Sequence, residues 1–233
     1  MRRLQAAFQE RLNRFVARVQ LPNGEERLVH VASSGRMAEV LIPGAPAVVE
    51  LSEAGPERKT AGRLLMVQAG DTWVSVDTSV PGRLFRRAVA EGRLAPFAGY
   101  SQIRPEYPYG QSRIDFLLTG EGLPPCLVEV KSVTSVLVDP DGTRVARFPD
   151  APTARGAKHL HELVQARNSG YRTAVCFVVQ RADAEAFGPY EEIDPDFGES
   201  LRSAARAGVE VYALLAHITP DEVGLGEPLP LRL

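Results

Sequence analysis

Cys126-Leu-Val-Glu129-Val-Lys131-Ser-Val133 reads as a strand with two opposite charges written into it. Apolar and β-branched residues, uninterrupted by proline or glycine, favour a buried extended segment. Residues two apart in a strand share a face, so Glu129 and Lys131 emerge together while Val128 and Val130 point the other way. Burying a carboxylate or an ammonium is costly unless it is paired or holds a metal. Two readings are open at this point: an ordinary Glu–Lys pair on a solvated sheet face, or part of a functional site.

The segment before it sharpens the choice. In Arg113-Ile-Asp115-Phe-Leu-Leu118 a single carboxylate interrupts an apolar run, and a turn over 120–125 leads into the Glu129 segment. An antiparallel pair joined there puts Asp115 beside Glu129, and two carboxylates that close repel unless a proton or a cation lies between them. Two carboxylate oxygens, a backbone carbonyl and waters suit Mg²⁺ or Mn²⁺. Lys131 on the same face would then reach a metal-bound water or a phosphate. The rival at Asp115 is Arg113, two residues earlier on the same face, as a simple ion-pair partner. An acid followed on the next strand by Glu-x-Lys resembles the PD-(D/E)xK nuclease site.

Outward from this pair, the chain divides in two. Residues 1–80 open with Leu4, Phe8 and Leu12 at helical spacing, which predicts one or two turns of helix before Asn13. Short strands are then expected at 15–19, 26–31, 47–51, 63–67 and 72–76, separated by turn sequences such as Pro22-Asn-Gly24 and Gly70-Asp71. Five short strands in so few residues predict a small barrel of the oligonucleotide-binding (OB) kind. Residues 81–233 change period: a helix over 82–91, the Asp115 and Glu129 strands, and a helix from Thr153 to Asn168. An apolar central strand over 173–179, a helix over 197–207 and a strand over 209–215 follow, and the tail from Leu225 reads as an edge. The expected fold is therefore α/β in the α+β sense: an N-terminal OB-like barrel and a nuclease-like mixed sheet flanked by helices.

Composition sets limits. The net charge of −2 supplies no global basic field for nucleic acid. Cys126 and Cys176 lie in apolar runs and read as buried thiols, with no disulfide framework or zinc spacing. No apolar run approaches membrane-spanning length, so no membrane partner is expected and a reducing cytoplasm is the default compartment. Among 27 basic residues only Lys59, Lys131 and Lys158 are lysine. Arginine is a poor substitute for a compact ammonium that acts as a point charge.

Seven segments in order resemble the sugar fermentation stimulation protein A family. They are Ser33-Ser-Gly-Arg-Met37, Pro43-Gly44, Arg58-Lys-Thr60, Trp73-Val-Ser-Val-Asp77-Thr, Ser112-Arg-Ile-Asp-Phe116, Glu129-Val-Lys-Ser-Val133 and Phe148-Pro-Asp-Ala-Pro-Thr-Ala-Arg-Gly-Ala-Lys-His-Leu160. The resemblance implies an OB-like barrel, a PD-(D/E)xK-type domain and a DNA-binding role linked to sugar metabolism. It carries Asp115, Glu129 and Lys131 over as metal and catalytic positions. The family usually has Asn at Ser33 and an aromatic residue near Gly62. Many members offer an acid in the helix where this chain has Arg86 and Arg87, the nearest acid being Glu91.

Nucleic-acid contacts are expected from Arg36, Arg58 and Lys59 at barrel turns, and from Arg155, Lys158 and His159 on the Thr153 helix. Gln180 at the end of the central strand joins them. Trp73 and Phe15 are the stacking candidates, with barrel core the competing role for Trp73. The function expected is a DNA-binding protein, DNA being favoured over RNA, with a Mg²⁺- or Mn²⁺-dependent phosphodiesterase site. A regulator of sugar-metabolism genes with a vestigial nuclease core is the alternative, and self-association is left open.

Overall fold

A computed structural model describes residues 2–33, 35–52 and 59–233. The chain opens with β1 (Arg2–Asn13), followed by β2 (Val16–Gln20), β3 (Glu26–Val31), β4 (Pro46–Leu51), β5 (Gly62–Ala69) and β6 (Thr72–Ser75). The first segment is thus a strand, not the expected helix. Leu4, Phe8 and Leu12 are spaced by four, and a spacing of four keeps residues on one face of a strand as well as of a helix. Phe8 is fully buried, but the register with β2 shifts between Phe8 and Glu10 and again between Arg11 and Asn13, leaving Leu12 exposed.

The strands close into a five-stranded barrel. β1 pairs with β2 and β4, β2 with β3, β4 with β5, and β5 returns to β3 through a short parallel pairing, His30↔Arg63 and Val31↔Leu64. The fifth barrel strand is therefore β1, while β6 forms a hairpin with β5 outside the ring. Phe8, Val19, Val29, Met37, Val49 and Leu64 are among the side chains filling its core. At Gly62 a Cβ would stand 2.0 Å from the Glu50 carbonyl oxygen, so no side chain fits there.

The remainder contains α1 (Val80–Ala90), β7 (Gln102–Tyr109), β8 (Ser112–Thr119), β9 (Cys126–Val133), β10 (Ser135–Val138) and β11 (Arg144–Phe148). After these come α2 (Ala154–Asn168), β12 (Arg172–Val179), β13 (Ala186–Pro189), α3 (Pro195–Arg206), β14 (Glu210–Ile218) and β15 (Val223–Pro228). Six strands form one mixed sheet, ordered β15-β14-β12-β9-β8-β7. β9, β12 and β14 run parallel at its centre, and antiparallel hairpins close both edges. β12 is buried along nearly its whole length, as a continuous apolar run requires.

One sheet face carries Phe116, Val128, Cys176 and Leu214 against α1, and the other carries Leu127, Val175 and Phe177 against α2 and α3. Thr153 caps α2 through its side chain, which accepts the Gly156 N–H, and Asp194 caps α3 in the same way with Phe197. A separate three-stranded sheet, β10-β11-β13, was not expected from the sequence.

The two halves are packed together. Val48, Leu65 and Met66 of the barrel join the α1 core, and Trp73 packs on that same cluster, so it fills the seam rather than the barrel core. Ser75 N–H donates to the Gln180 carbonyl at 3.1 Å, and the Met37 N–H donates to Asp150 at 3.1 Å. Gly35 packs so tightly on Asp150 that a Cβ there would lie 2.3 Å from its carboxylate.

Candidate active site

The β8–β9 ladder runs from Leu118↔Cys126 to Phe116↔Val128 and ends there. The next acceptor for β9 is a side chain: Asp115 Oδ2 takes the Val130 N–H at 2.7 Å. The carboxylate thus caps the point where the two strands part. Glu129 lies beside this opening with 3% of its surface exposed. Its Oε1 accepts from Lys131 Nζ at 2.5 Å and pairs with Nδ1 of His159 from α2, while its Oε2 is buried with no hydrogen-bond partner. The second His159 ring nitrogen, Nε2, faces Arg155 Nε at 3.4 Å.

The two acids are shifted in opposite directions. Burial, followed by the Glu129 charge, pushes Asp115 up to about 6, against the opposing Val130 hydrogen bond and Lys131. Burial also works against ionised Glu129, but the hydrogen bond from His159 and the charge of Lys131 overcome it and hold Glu129 below the usual carboxylate range.

The three residues line a cleft of about 490 Å³ between barrel and sheet, with Phe15, Ser33 and Gly35 on the barrel wall. Two further cavities continue it. One shares Asp115 and is walled by Arg83, Arg86 and Glu106, and the other shares Arg155 and is walled by Arg113 and Lys158. Basic side chains therefore stand at both ends of a track that crosses the acid pair, despite the acidic whole.

Among the described residues no group of three or more His, Cys, Asp or Glu side chains forms a metal cage. Two convergent carboxylates, one with a buried oxygen lacking any partner, nevertheless fit a small hard cation that completes its shell with backbone and water oxygens.

The expected residues fare differently. Asp115, Glu129 and Lys131 come together in one cleft. Arg113 is exposed and makes no ion pair with Asp115, which removes that rival. Arg155 and Lys158 are exposed at the rim, Lys158 standing 3.8 Å from the buried Glu162.

His159 requires correction: it is 2% exposed with Nδ1 committed to Glu129, so it positions that acid and only edges the cavity beside Arg155. Gln180 requires the same correction, being wholly buried with its amide donating to Ser132 Oγ at 2.8 Å. Arg36 and Lys59 are exposed but line none of the three cavities, and Arg58 lies outside the described residues.

Glu91 is held at the surface by Arg87 and Arg93, at 2.7 and 2.6 Å, and does not reach the cleft. The acid that sequence reasoning missed is Glu106. It falls between the pairs Pro105↔Phe116 and Tyr107↔Ile114, opposite Asp115, with φ of 52°. Its one sequence signal is Pro105-Glu-Tyr-Pro108, where prolines break a strand beside the site.

An OB barrel joined to a mixed sheet whose parting strands present Asp…Glu-x-Lys defines a two-part α+β protein with an N-terminal OB domain. The chain belongs to the sugar fermentation stimulation protein family. Residues 79–222 match the sugar fermentation stimulation protein RE domain and residues 10–76 the SfsA N-terminal OB domain. It is 66% identical over 239 residues to a sugar fermentation stimulation protein homolog from Symbiobacterium thermophilum, covering 99% of this chain and 95% of that one. A homolog from Moorella thermoacetica is 44% identical, with coverage of 99% and 97%. Pyrococcus furiosus SfsA, solved in complex with Ca²⁺, superposes with a TM-score of 0.89 at 27% identity, over 100% of this chain and 96% of that one. No helix among the described residues is long and apolar enough to cross a membrane.

Proposed function

We propose that this chain binds nucleic acid, DNA in preference to RNA, and hydrolyses its phosphodiester bonds at Asp115, Glu129 and Lys131 with Mg²⁺ or Mn²⁺ bound. The observation that carries the reading is the buried, unpartnered Oε2 of Glu129 in the cleft that also holds Asp115. A lone buried carboxylate oxygen is expensive to leave unsatisfied, and a cation is the partner that fits. The Ca²⁺ complex of the Pyrococcus relative supports a divalent site in this fold.

Asp115 and Glu129 would hold the ion, which when bound polarises a phosphate oxygen and acidifies a water. Lys131 orients the attacking water and offsets charge on the phosphate. His159 fixes the Glu129 rotamer through Oε1, leaving Oε2 for the site. Arg155 and Lys158 grip a neighbouring phosphate. Water adds to phosphorus, one P–O ester bond breaks, and the products are a phosphate monoester and a hydroxyl end.

Cleavage of labelled DNA and RNA with and without Mn²⁺ tests this. Lys131→Arg is expected to slow turnover about 100-fold, a substantial part of what a positioned group contributes, with binding retained. Equal turnover by the variant would remove Lys131 from catalysis. The second reading, a DNA-binding regulator with a vestigial nuclease core, draws on Arg86 and Arg87 in α1 and on the direct Glu129–Lys131 pair. Nucleic acid that is shifted but intact in Mn²⁺ would favour it.

A further inference from the structure

Phe15 stands at the tight turn between β1 and β2, and its surroundings separate it from the other aromatic residues. Its backbone is fixed on both sides: its N–H donates to Asn13 Oδ1 at 2.9 Å and its carbonyl accepts the Val31 N–H at 2.9 Å. The residue is nevertheless 48% exposed, takes no part in the barrel core, and lines the same cleft as Asp115, Glu129 and Lys131. His30 backs the ring, with centroids 6.2 Å apart and planes 22° apart, and the guanidinium of the exposed Arg14 lies over the ring, 5.6 Å from its centroid. The other aromatic of the cleft, Phe148, is committed to packing on Phe177 and Phe197, at 5.5 and 5.1 Å between centroids. A rigid, half-exposed ring in a polar cleft has hydrophobic area to offer to something that is not this chain.

We infer that Phe15 is a stacking platform for one unpaired base beside the acid pair, and that the substrate class of the cleft is single-stranded nucleic acid. The inference rests on the functional reading above and deepens it. A base has a π-face for such a ring only when its neighbours in the stack release it. The cleft, about 490 Å³ and walled by both barrel and sheet, has the volume of a small-ligand site and is large enough for a nucleotide. A base on Phe15 takes the place of the exposed Arg14 guanidinium over the ring, and Lys131 and Arg155, which line the same cleft, supply charge for its phosphate.

The test is binding of a single-stranded oligonucleotide carrying one 2-aminopurine, and of its duplex, with Ca²⁺ replacing Mn²⁺ and strand integrity checked on a gel. The wild type is expected to bind the single strand at least about tenfold more tightly and to quench the probe. Phe15→Ala should weaken that binding about tenfold, the effect of losing one stacked base, abolish the quench and leave duplex binding unchanged. Phe15→Tyr, which keeps the ring, should restore both binding and quench, as loss of fold would not permit. Equal or tighter duplex binding by the wild type, or unchanged affinity and quench in Phe15→Ala, overturns the inference alone. No binding of either strand form by the wild type overturns the functional reading and the inference with it.

Discussion

Glu129 and Glu210 occupy the strands on either side of β12, and the chain treats them in opposite ways. Glu210 has both oxygens occupied. Arg172 Nε donates to Oε1 and Nη2 to Oε2, each at 2.7 Å, and the Tyr212 hydroxyl donates to Oε2 at 2.5 Å. Arg172 in turn lies against Phe97 and Tyr100, with ring centroids at 5.1 and 5.7 Å. Arg172 and then Tyr212 hold Glu210 below the usual carboxylate range against the opposing effect of burial. Glu129 instead receives two donors on one oxygen and none on the other.

Position matches this difference. Arg172 and Glu210 begin their strands, at the amino edge of the parallel set, whereas Glu129 and Lys131 lie further along β9 toward the carboxyl ends. Ligand crevices of open α/β sheets form at carboxyl ends. Complete, bidentate pairing makes Arg172–Glu210 a structural ion pair, whereas the lopsided pairing of Glu129 leaves one oxygen for the ion proposed above.

The sharpest way to break this contrast is to neutralise each acid in turn. Glu129→Gln should weaken Mn²⁺ binding, measured by calorimetry, by more than about 100-fold, beyond the usual effect of losing an outer partner. Glu210→Gln should leave the isotherm unchanged. Similar isotherms for the two variants would end the distinction.

A smaller effect concerns Asp115. Its pKa is raised in the folded protein to about 6, so its ionisation opposes folding above that pH and is neutral below the unfolded value. Asp115→Asn, which keeps the acceptor for Val130, should therefore stabilise the metal-free protein at pH 8 by about 2 kcal/mol. The gain should fade as pH falls toward 4. Thermal melts at both pH values in chelator check it, and a variant less stable at pH 8 would contradict it.

The least effect is expected at the structural pair. Arg172→Met should lower stability by about 1–2 kcal/mol, the pair being only partly buried. Because Glu210 is depressed, that contribution is present at neutral pH and lost as pH falls through its folded pKa. The two proteins should then converge in acid.

Much of this was legible before any fold was known. Asp115 and Glu129 betrayed themselves as charges inside apolar strands, and Thr153 and Gly170 marked the ends of α2. What failed had a local reading that tertiary contact overruled. His159 was expected to meet nucleic acid from the Thr153 helix, but it turns inward, where its Nδ1 pairs with Glu129. Gln180 was expected to reach nucleic acid from the end of the central strand, but it is buried where Ser75 of β6 donates to its carbonyl. Glu106 carries no periodic signal at all, since its position follows from an irregularity in the β7–β8 pairing.

The sequence by itself determined the strand pair with its acids and lysine, the helix caps and the turn-separated strands of the first half. Alternation, capping and turn chemistry act over a few residues and need no distant partner. Tertiary structure alone decided that β1 is a strand that closes the barrel, that one oxygen of Glu129 goes without a partner, and that Phe15 faces the acids. Each depends on groups far apart in the chain meeting across a packed seam, and no local pattern encodes which of two permitted faces will be buried.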